Sequence, residues 1–330
     1  MKVAILHNPR PRLRDPSLPE DAFEEYDSEE TIAAIADALT GLGVESVPLV
    51  ADRRLPWALE DGCYDFVFNI AEGQGRRCRE AVPAAVCELL GVPYTLSDPL
   101  TLAVTLDKAV ARRIVSPEVP VARAVLVGEQ PEESQLARLS YPVVVKPNDE
   151  GSSKGIWRGS LCQDPAEASR RCLWLRTQYG SPALVEEFLR GAEITVAVRG
   201  NGARASVLGM MEIAPAGESG EPFLYSVEVK REWRQRVRYH IPPRLSRHQL
   251  RAVQEYALTA YRLLGCRDLA RMDFRLDGAG QPHFLECNPL PGLNPEHSDI
   301  IILSRGVLSY AALVHGILCD AMERCAVSFD

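Results

Sequence analysis

The chain has 330 residues, 46% hydrophobic and 25% charged, which fits a folded globular protein of one to three domains. Its net charge of -8 gives no electrostatic support to a nucleic-acid partner. The apolar runs are too short for a membrane span, and Met1 to Leu6 reads as a buried first strand rather than a signal peptide, so the expected location is cytoplasmic. The nine cysteines are odd in number and contain no C-x-x-C pair. They are expected to be reduced core thiols, Cys87 and Cys319 among them, and a zinc site is disfavoured.

In chain order, a strand at 2–6 precedes a Pro/Arg-rich loop from Pro9 to about Pro19. Asp27 and Glu30 have capping-box spacing ahead of an amphipathic helix from Thr31 to Leu42. Strands at Val44 to Val50 and Asp65 to Asn69 follow, then a helix from Glu80 to Leu90 that ends at Gly91. This alternation predicts a parallel sheet covered by helices, over residues 1–103. A helix from Leu106 to Val115, a strand from Tyr141 to Lys146, a Gly/Ser loop to Gly155 and a helix from Pro165 to Gln178 suggest a small middle unit, 104–182. The last unit, 183–330, holds strands at Val185 to Leu189 and Glu193 to Val198, a helix from Ser246 to Leu264, a hairpin and a final helix from Val307 to Met322.

The hairpin, from Arg271 to Asn288, carries the strongest chemical signal. A turn centred on Asp277-Gly278-Ala279-Gly280 sets Asp273 opposite Glu286 and Arg271 opposite Asn288, all on one face. Met272, Phe274, Leu285 and Cys287 then point into a core. Two carboxylates and an amide oxygen beside an arginine suit Mg²⁺ better than zinc. The competing interpretation is an exposed hairpin with solvated charges. Lys146, at a strand end before Glu150-Gly151-Ser152-Ser153-Lys154-Gly155, can hold phosphates through its charge, backbone N–H groups and hydroxyls. A surface turn with an incidental lysine explains that segment equally well when it is taken alone. Lys108 follows the same logic more weakly, with a solvated helix lysine as the alternative. Glu186 and Glu193 flank a bend, where one carboxylate could accept from ribose hydroxyls or simply face solvent.

The ordered set Asp107-Lys108, Val145-Lys146-Pro147, Glu150-Gly151-Ser152-Ser153, Val185-Glu186-Glu187-Phe188 with Glu193, Glu228-x-Lys230, Arg271-x-Asp273, Glu286-x-Asn288-x-x-Pro291-Gly292 and His297-Ser298 resembles the ATP-grasp superfamily. Within it, the chain is most similar to the D-alanine–D-alanine ligase family, over nearly its whole length. The resemblance implies an α/β Rossmann-like domain followed by an ATP-grasp fold of two α+β subdomains. It implies ATP contacts at Lys108, Lys146, Ser152, Ser153, Gly155, Glu186, Glu187, Phe188, Leu189 and Glu193. It also implies two Mg²⁺ ions, with Mn²⁺ as a substitute, on Asp273, Glu286 and Asn288. Lys230 would face the phosphates, Arg271 and the Gly292 backbone would stabilise the oxyanion, and Ser298 would hold a substrate carboxylate. A homodimer and amino-acid substrates are further expectations of the family.

The chemistry implied is activation of a carboxylate as an acyl phosphate, followed by amine attack, with Ser152 and a lid near Tyr225 to Arg231 excluding water. The departures from the family concern substrate. His7-Asn8-Pro9 replaces a Gly-rich turn, and the glutamate that grips the first amine has no clear match, with Glu29 and Glu30 nearby. Asn69-Ile70-Ala71-Glu72-Gly73 stands where His-Gly is usual, which makes Glu72 a second candidate for substrate contact. Val227 and Arg231 replace lid tyrosines. Three alternatives stay open: a specialised ligase for other amino acids, an inactive ATP-binding regulator, and a phosphotransferase. Retention of Lys108, Lys146, Asp273, Glu286 and Asn288 opposes the regulator.

Overall fold

The computed structural model describes residues 1–11, 15, 18–75, 77–217 and 222–328. Positions 12–14, 16 and 17 of the expected Pro/Arg-rich loop lie outside the described residues. Strands β1 (Lys2–His7), β2 (Glu45–Val50) and β3 (Phe66–Asn69) form a parallel sheet in the order β2-β1-β3. Helices α1 (Glu29–Thr40), α2 (Leu55–Gly62) and α3 (Ala81–Leu90) accompany them. The cap of α1 differs from the expected one. Ser28, not Asp27, caps α1 by accepting from the Thr31 N–H, which leaves the Asp27 carboxylate free to face the cleft described below. Helix α2 was not apparent in the sequence. Gly91 ends α3 with φ +68°, a left-handed cap that favours glycine.

The single helix expected over Leu106 to Val115 is two, α4 (Pro99–Leu106) and α5 (Lys108–Val115). Asp107 takes extended backbone and accepts from the Val110 N–H, so it both ends the first helix and caps the second. There follow β4 (Ala124–Val127), α6 (Glu133–Leu136), β5 (Val143–Pro147), β6 (Leu161–Cys162), α7 (Pro165–Tyr179) and β7 (Ala183–Glu187). The four strands pair antiparallel as β4-β7-β5-β6. The 182/183 division expected from the sequence therefore falls just before a strand of this sheet.

The third sheet, β10-β9-β8-β11-β12, is antiparallel. Its strands are β8 (Glu193–Arg199), β9 (Ser206–Pro215), β10 (Val237–His240), β11 (Leu269–Leu276) and β12 (Pro282–Asn288). Short helices α8 (Val227–Arg231) and α9 (Trp233–Arg236) precede β10, and α10 (Arg247–Leu263) precedes β11. Helix α10 starts at a capping box between Ser246 and Gln249. Helices α11 (Asp299–Ser304) and α12 (Tyr310–Arg324) end the fold.

One hydrophobic core joins Val3 to Leu6 and Ile35 with Ile300, Leu313 and Ile317, so the first and last elements share it. A second core lies between α10 and the other face of the large sheet, around Tyr261, Met272 and Phe284. Cys87 is buried as expected, whereas Cys319 is exposed. Asp268, wholly buried at φ +58°, accepts from the Leu96 N–H and pairs with Arg324 at 2.9 Å, tying the start of β11 to both α12 and the link between α3 and α4. Asp268→Ala would leave the Arg324 guanidinium without its counter-charge. We expect a loss of about 3–5 kcal/mol of stability, read by denaturant unfolding.

Candidate active site

Hairpin β11–β12 has the register expected from its turn: Arg271 opposes Asn288 and Asp273 opposes Glu286. One detail differs. A bulge at Asp273/Phe274 shifts the register so that Phe284 pairs with Phe274 and is buried, while Leu285 turns into the cleft. The β8 neighbour of Asp273 is Thr195, whose hydroxyl donates to the Asp273 carboxylate at 2.9 Å. Arg271 Nε donates to Asp273 at 3.0 Å, and its other nitrogens lie 3.4 Å from Asp299 and 3.6 Å from Glu286. Burial, reinforced by Glu286 and Asp299 and opposed by Arg271, raises Asp273 to about 6. Burial pushes Glu286 the same way, but Lys108, Lys146 and Arg271 outweigh it and lower its pKa. A pocket of crowded carboxylates with an adjacent amide oxygen is a donor set that a hard divalent cation would satisfy. Asn288 Oδ1 already accepts from the Leu290 N–H, which fixes the direction of its amide. Among the described residues no group of three or more His, Cys, Asp and Glu forms a metal cluster.

The hairpin face separates two cavities. One, of about 90 Å³, runs between the two antiparallel sheets and is lined by Val144, Ile156, Phe188, Leu189 and Leu285, with Lys146 and Glu193 among its polar groups. Apolar walls with Lys146 and Lys230 among the lining groups suit a ligand that joins an apolar ring to anionic groups. Lys146 Nζ sits 3.5 Å from Glu186, which also pairs with Arg112 at 2.5 Å. Glu186 is therefore a fully compensated carboxylate. Glu187 is engaged by the Ser140 N–H at 2.7 Å. Glu193 holds Arg275 at 2.8 Å, and its burial raises it to about 7 against the pull of Arg275. Lys108, at the head of α5, lies 3.5 Å from Glu286 and donates to the Glu150 carbonyl, so it bridges the hairpin and the Gly/Ser loop.

Ser152 and Ser153 both occupy the left-handed region, at φ +49° and +60°. Such conformations are unfavourable for residues with side chains and are held here by the surrounding contacts. Ser152 borders both cavities, and Ser153 donates to the Tyr225 carbonyl at 3.1 Å, linking the loop to the lid. Gly155 takes a different role from the expected one. At φ +72° it packs against Pro147, and its N–H donates to Asp21 at 2.8 Å rather than facing the cleft. Glu25 accepts from the Gly151 N–H at 2.6 Å and from Lys154 at 3.0 Å, and pairs with Arg79 at 2.9 Å. Burial works to raise it, yet Lys154 and Arg79 hold it down at about 2. The acidic run from Glu20 to Asp27 thus fastens the Gly/Ser loop, and Glu20 and Glu24 fasten the lid by pairing with Arg231. The sequence reading passed over this run, although its charge complements Lys154 and Arg231.

The second cavity, of about 390 Å³, is lined by Lys230, Arg271, Asn288, Gly292 and Ser298 on one side and by Tyr26, Asp27 and Glu72 on the other. Burial lowers the pKa of Lys230. Ser298 Oγ accepts from the Asn294 N–H at 2.9 Å, close under Gly292, where an added Cβ would come within 3.1 Å. The Asn294 amide reaches across to the Thr31 hydroxyl at 3.2 Å, another link the sequence did not reveal. Glu72 lines the cavity. Glu29 does not. It is exposed on the first turn of α1, because the Ser28 cap turns that position outward.

An apolar-walled cavity, a carboxylate hairpin face and a second polar cavity thus stand side by side, an arrangement of the kind found in nucleotide-dependent ligases. Residues 118–319 match the family model for the D-ala D-ala ligase C-terminus. A D-alanine–D-alanine ligase of Bordetella avium is 31% identical over 324 residues, covering 97% of this chain and 94% of that protein. An uncharacterized protein y4sG of Sinorhizobium fredii is 35% identical over 260 residues, covering 78% and 75%. The crystal structure of the Bacillus anthracis D-alanine–D-alanine ligase complexed with ATP superposes with a TM-score of 0.75 at 20% identity, over 98% of this chain and 97% of that one. The chain belongs to the D-alanine–D-alanine ligase family and is an ATP-dependent ligase.

Asp273→Ala and Glu286→Ala are each expected to cut ATP-dependent turnover by about 100-fold or more. Their melting temperatures should stay near that of the wild type, since both carboxylates face the cleft and not a core.

Proposed function

We propose that the chain joins two amino acids through an amide bond, releasing ADP and phosphate, with D-alanine as the reference substrate that its relatives' names supply. The carrying observation is the placement of Arg271, Asp273, Glu286 and Asn288 on one hairpin face between two cavities. A carboxylate must be activated before an amine can attack it, and the acyl phosphate so formed must be kept from water. Lys108 and Lys146 would neutralise phosphate charge. Asp273, Glu286 and Asn288 would hold two Mg²⁺ ions, or Mn²⁺, which would supply further charge neutralisation. Arg271, oriented by Asp273 and Asp299, and the Gly292 N–H would stabilise the tetrahedral oxyanion. Ser152, where the cavities meet, would cover the phosphates with the Gly/Ser loop, and Ser298 would hold a substrate carboxylate. Lys230 and the lid would close the reacting centre. A specialised ligase taking a different first amino acid is the second reading. Glu72 favours it, an acid in the substrate cavity where the family pattern has His-Gly.

The test is phosphate release from ATP and Mg²⁺ with D-alanine and a panel of amino acids, with product masses recorded. Release is expected only when an amino acid is present, with a product lighter than its two components by one water. Equal release without any amino acid, or a phosphorylated product, would overturn the ligase reading.

No helix among the described residues is long and apolar enough to cross a membrane. A cytoplasmic location is part of the proposal, as is a homodimer. Trp57, Val82, Leu89 and Leu100, 62%, 53%, 80% and 74% exposed on α2, α3 and α4, give an apolar surface that a second copy would cover. Light scattering should show a dimer for the wild type and a monomer for Leu89→Asp. A monomeric wild type would sink this part.

A further inference from the structure

The two walls of the substrate cavity differ in charge. The wall from the large sheet and lid presents Lys230 and Arg271, the groups suited to phosphate and carboxylate. The wall from the first unit presents carboxylates, and those carboxylates are not equivalent. Glu24 is held by Arg231 at 2.8 Å and lies 3.7 Å from Arg10. Glu25 is saturated by Arg79, Lys154 and the Gly151 N–H. Both Glu25 oxygens are taken, and the Glu24 charge is already met by Arg231. Asp27 and Glu72 line the same cavity, and neither side chain makes a hydrogen bond or ion pair with any described residue. Burial raises Asp27 to about 7. Burial, then Glu80 and Glu25, raises Glu72, and Asp27 adds to that effect. Arg79 is the cation that opposes it, and Arg79 is engaged with Glu25.

An α-amino acid whose carboxylate is to be phosphorylated must direct that carboxylate toward Arg271 and the nucleotide cavity. Its amine end then meets the acidic wall. One ammonium is satisfied by one carboxylate, and this wall offers two. A buried carboxylate without a counter-charge is costly, and a positive group between two of them removes the cost for both.

Resting on the ligase reading above, we propose that the first substrate is a short diamino acid, with Asp27 and Glu72 the residues that select its second ammonium. The α-amine takes one carboxylate and the side-chain amine the other. A neutral side chain of the same length leaves one acid uncompensated. Glu72 and Asp27 are specificity residues here. Neither takes part in the bond-making steps.

The test measures kcat/KM for phosphate release with ATP and Mg²⁺. Substrates are 2,3-diaminopropionate, 2,4-diaminobutyrate and ornithine against 2-aminobutyrate, norvaline and norleucine, their neutral counterparts of equal length, in both configurations, with D-alanine present as acceptor. At least one diamino acid should exceed its neutral counterpart by about tenfold, the ratio that about 1.4 kcal/mol produces. The product mass should be that of the mixed dipeptide. Glu72→Gln and Asp27→Asn, which keep side-chain shape, should bring that ratio toward one, chiefly through KM for the diamino acid. Turnover of neutral amino acids at equal or higher kcat/KM in the wild type overturns the proposal and leaves the ligase reading standing. So does a ratio that neither variant moves. Phosphate release with no amino acid whatever removes the ligase reading, and this proposal with it.

Discussion

The site depends on the register of one hairpin. A strand's side chains alternate, so a one-residue slip of β12 against β11 would carry Glu286 and Asn288 into the core and bring Cys287 out. That slip is opposed from the other face, where Met272, Phe274, Phe284 and Cys287 are all buried against α10. The polar face is thus positioned by apolar packing on the far side of the same two strands. The bulge at Asp273/Phe274 adds a second service. It lets Phe284 fill the core while Leu285 contributes to the nucleotide cavity, so adjacent residues of one strand serve different compartments.

The other organising feature is the division of charge across the cleft. The large sheet and lid supply the cations Lys230 and Arg271. The first unit supplies acids, and these acids do two jobs. Some are spent on structure, holding the Gly/Ser loop through Gly151, Lys154 and Gly155 and the lid through Arg231. Asp27 and Glu72 face the cavity without a hydrogen-bond or ion-pair partner among the described residues. Loop, lid and substrate wall are therefore joined through a single short run of the first unit, so a change in any one of them is felt by the other two.

How much of this was legible in the sequence depended on the range of the contacts involved. The Asp273–Glu286 pairing was readable because a tight turn and a period-two pattern fix a local register. The misassignment of Leu285 came from the bulge, an extra residue that alternation cannot register. The break at Asp107 was hidden because apolar spacing runs on through it, and only its role as a cap separates α4 from α5. Ser28, rather than Asp27, caps α1, and the choice between neighbouring capping residues is decided by backbone angles that composition does not encode. Glu25 and Asp21 were missed for another reason. Their partners, Gly151, Lys154 and Gly155, lie more than a hundred residues away in sequence, at separations of 126, 129 and 134. No periodic signal links residues that far apart. Glu29 was chosen for nearness in sequence alone, and it faces solvent.

The core that unites β1 with α12 bears on how the chain is made. A ribosome releases the first sheet long before the helix that covers part of it. The apolar flank around Val3, Ile5 and Ile35 must then wait for Leu313 and Ile317, some three hundred residues later. Folding unit by unit during synthesis is consequently incomplete for this chain. Its first sheet is a nascent surface that needs shelter until α12 has been made, and a product cut short before α12 would be prone to aggregation.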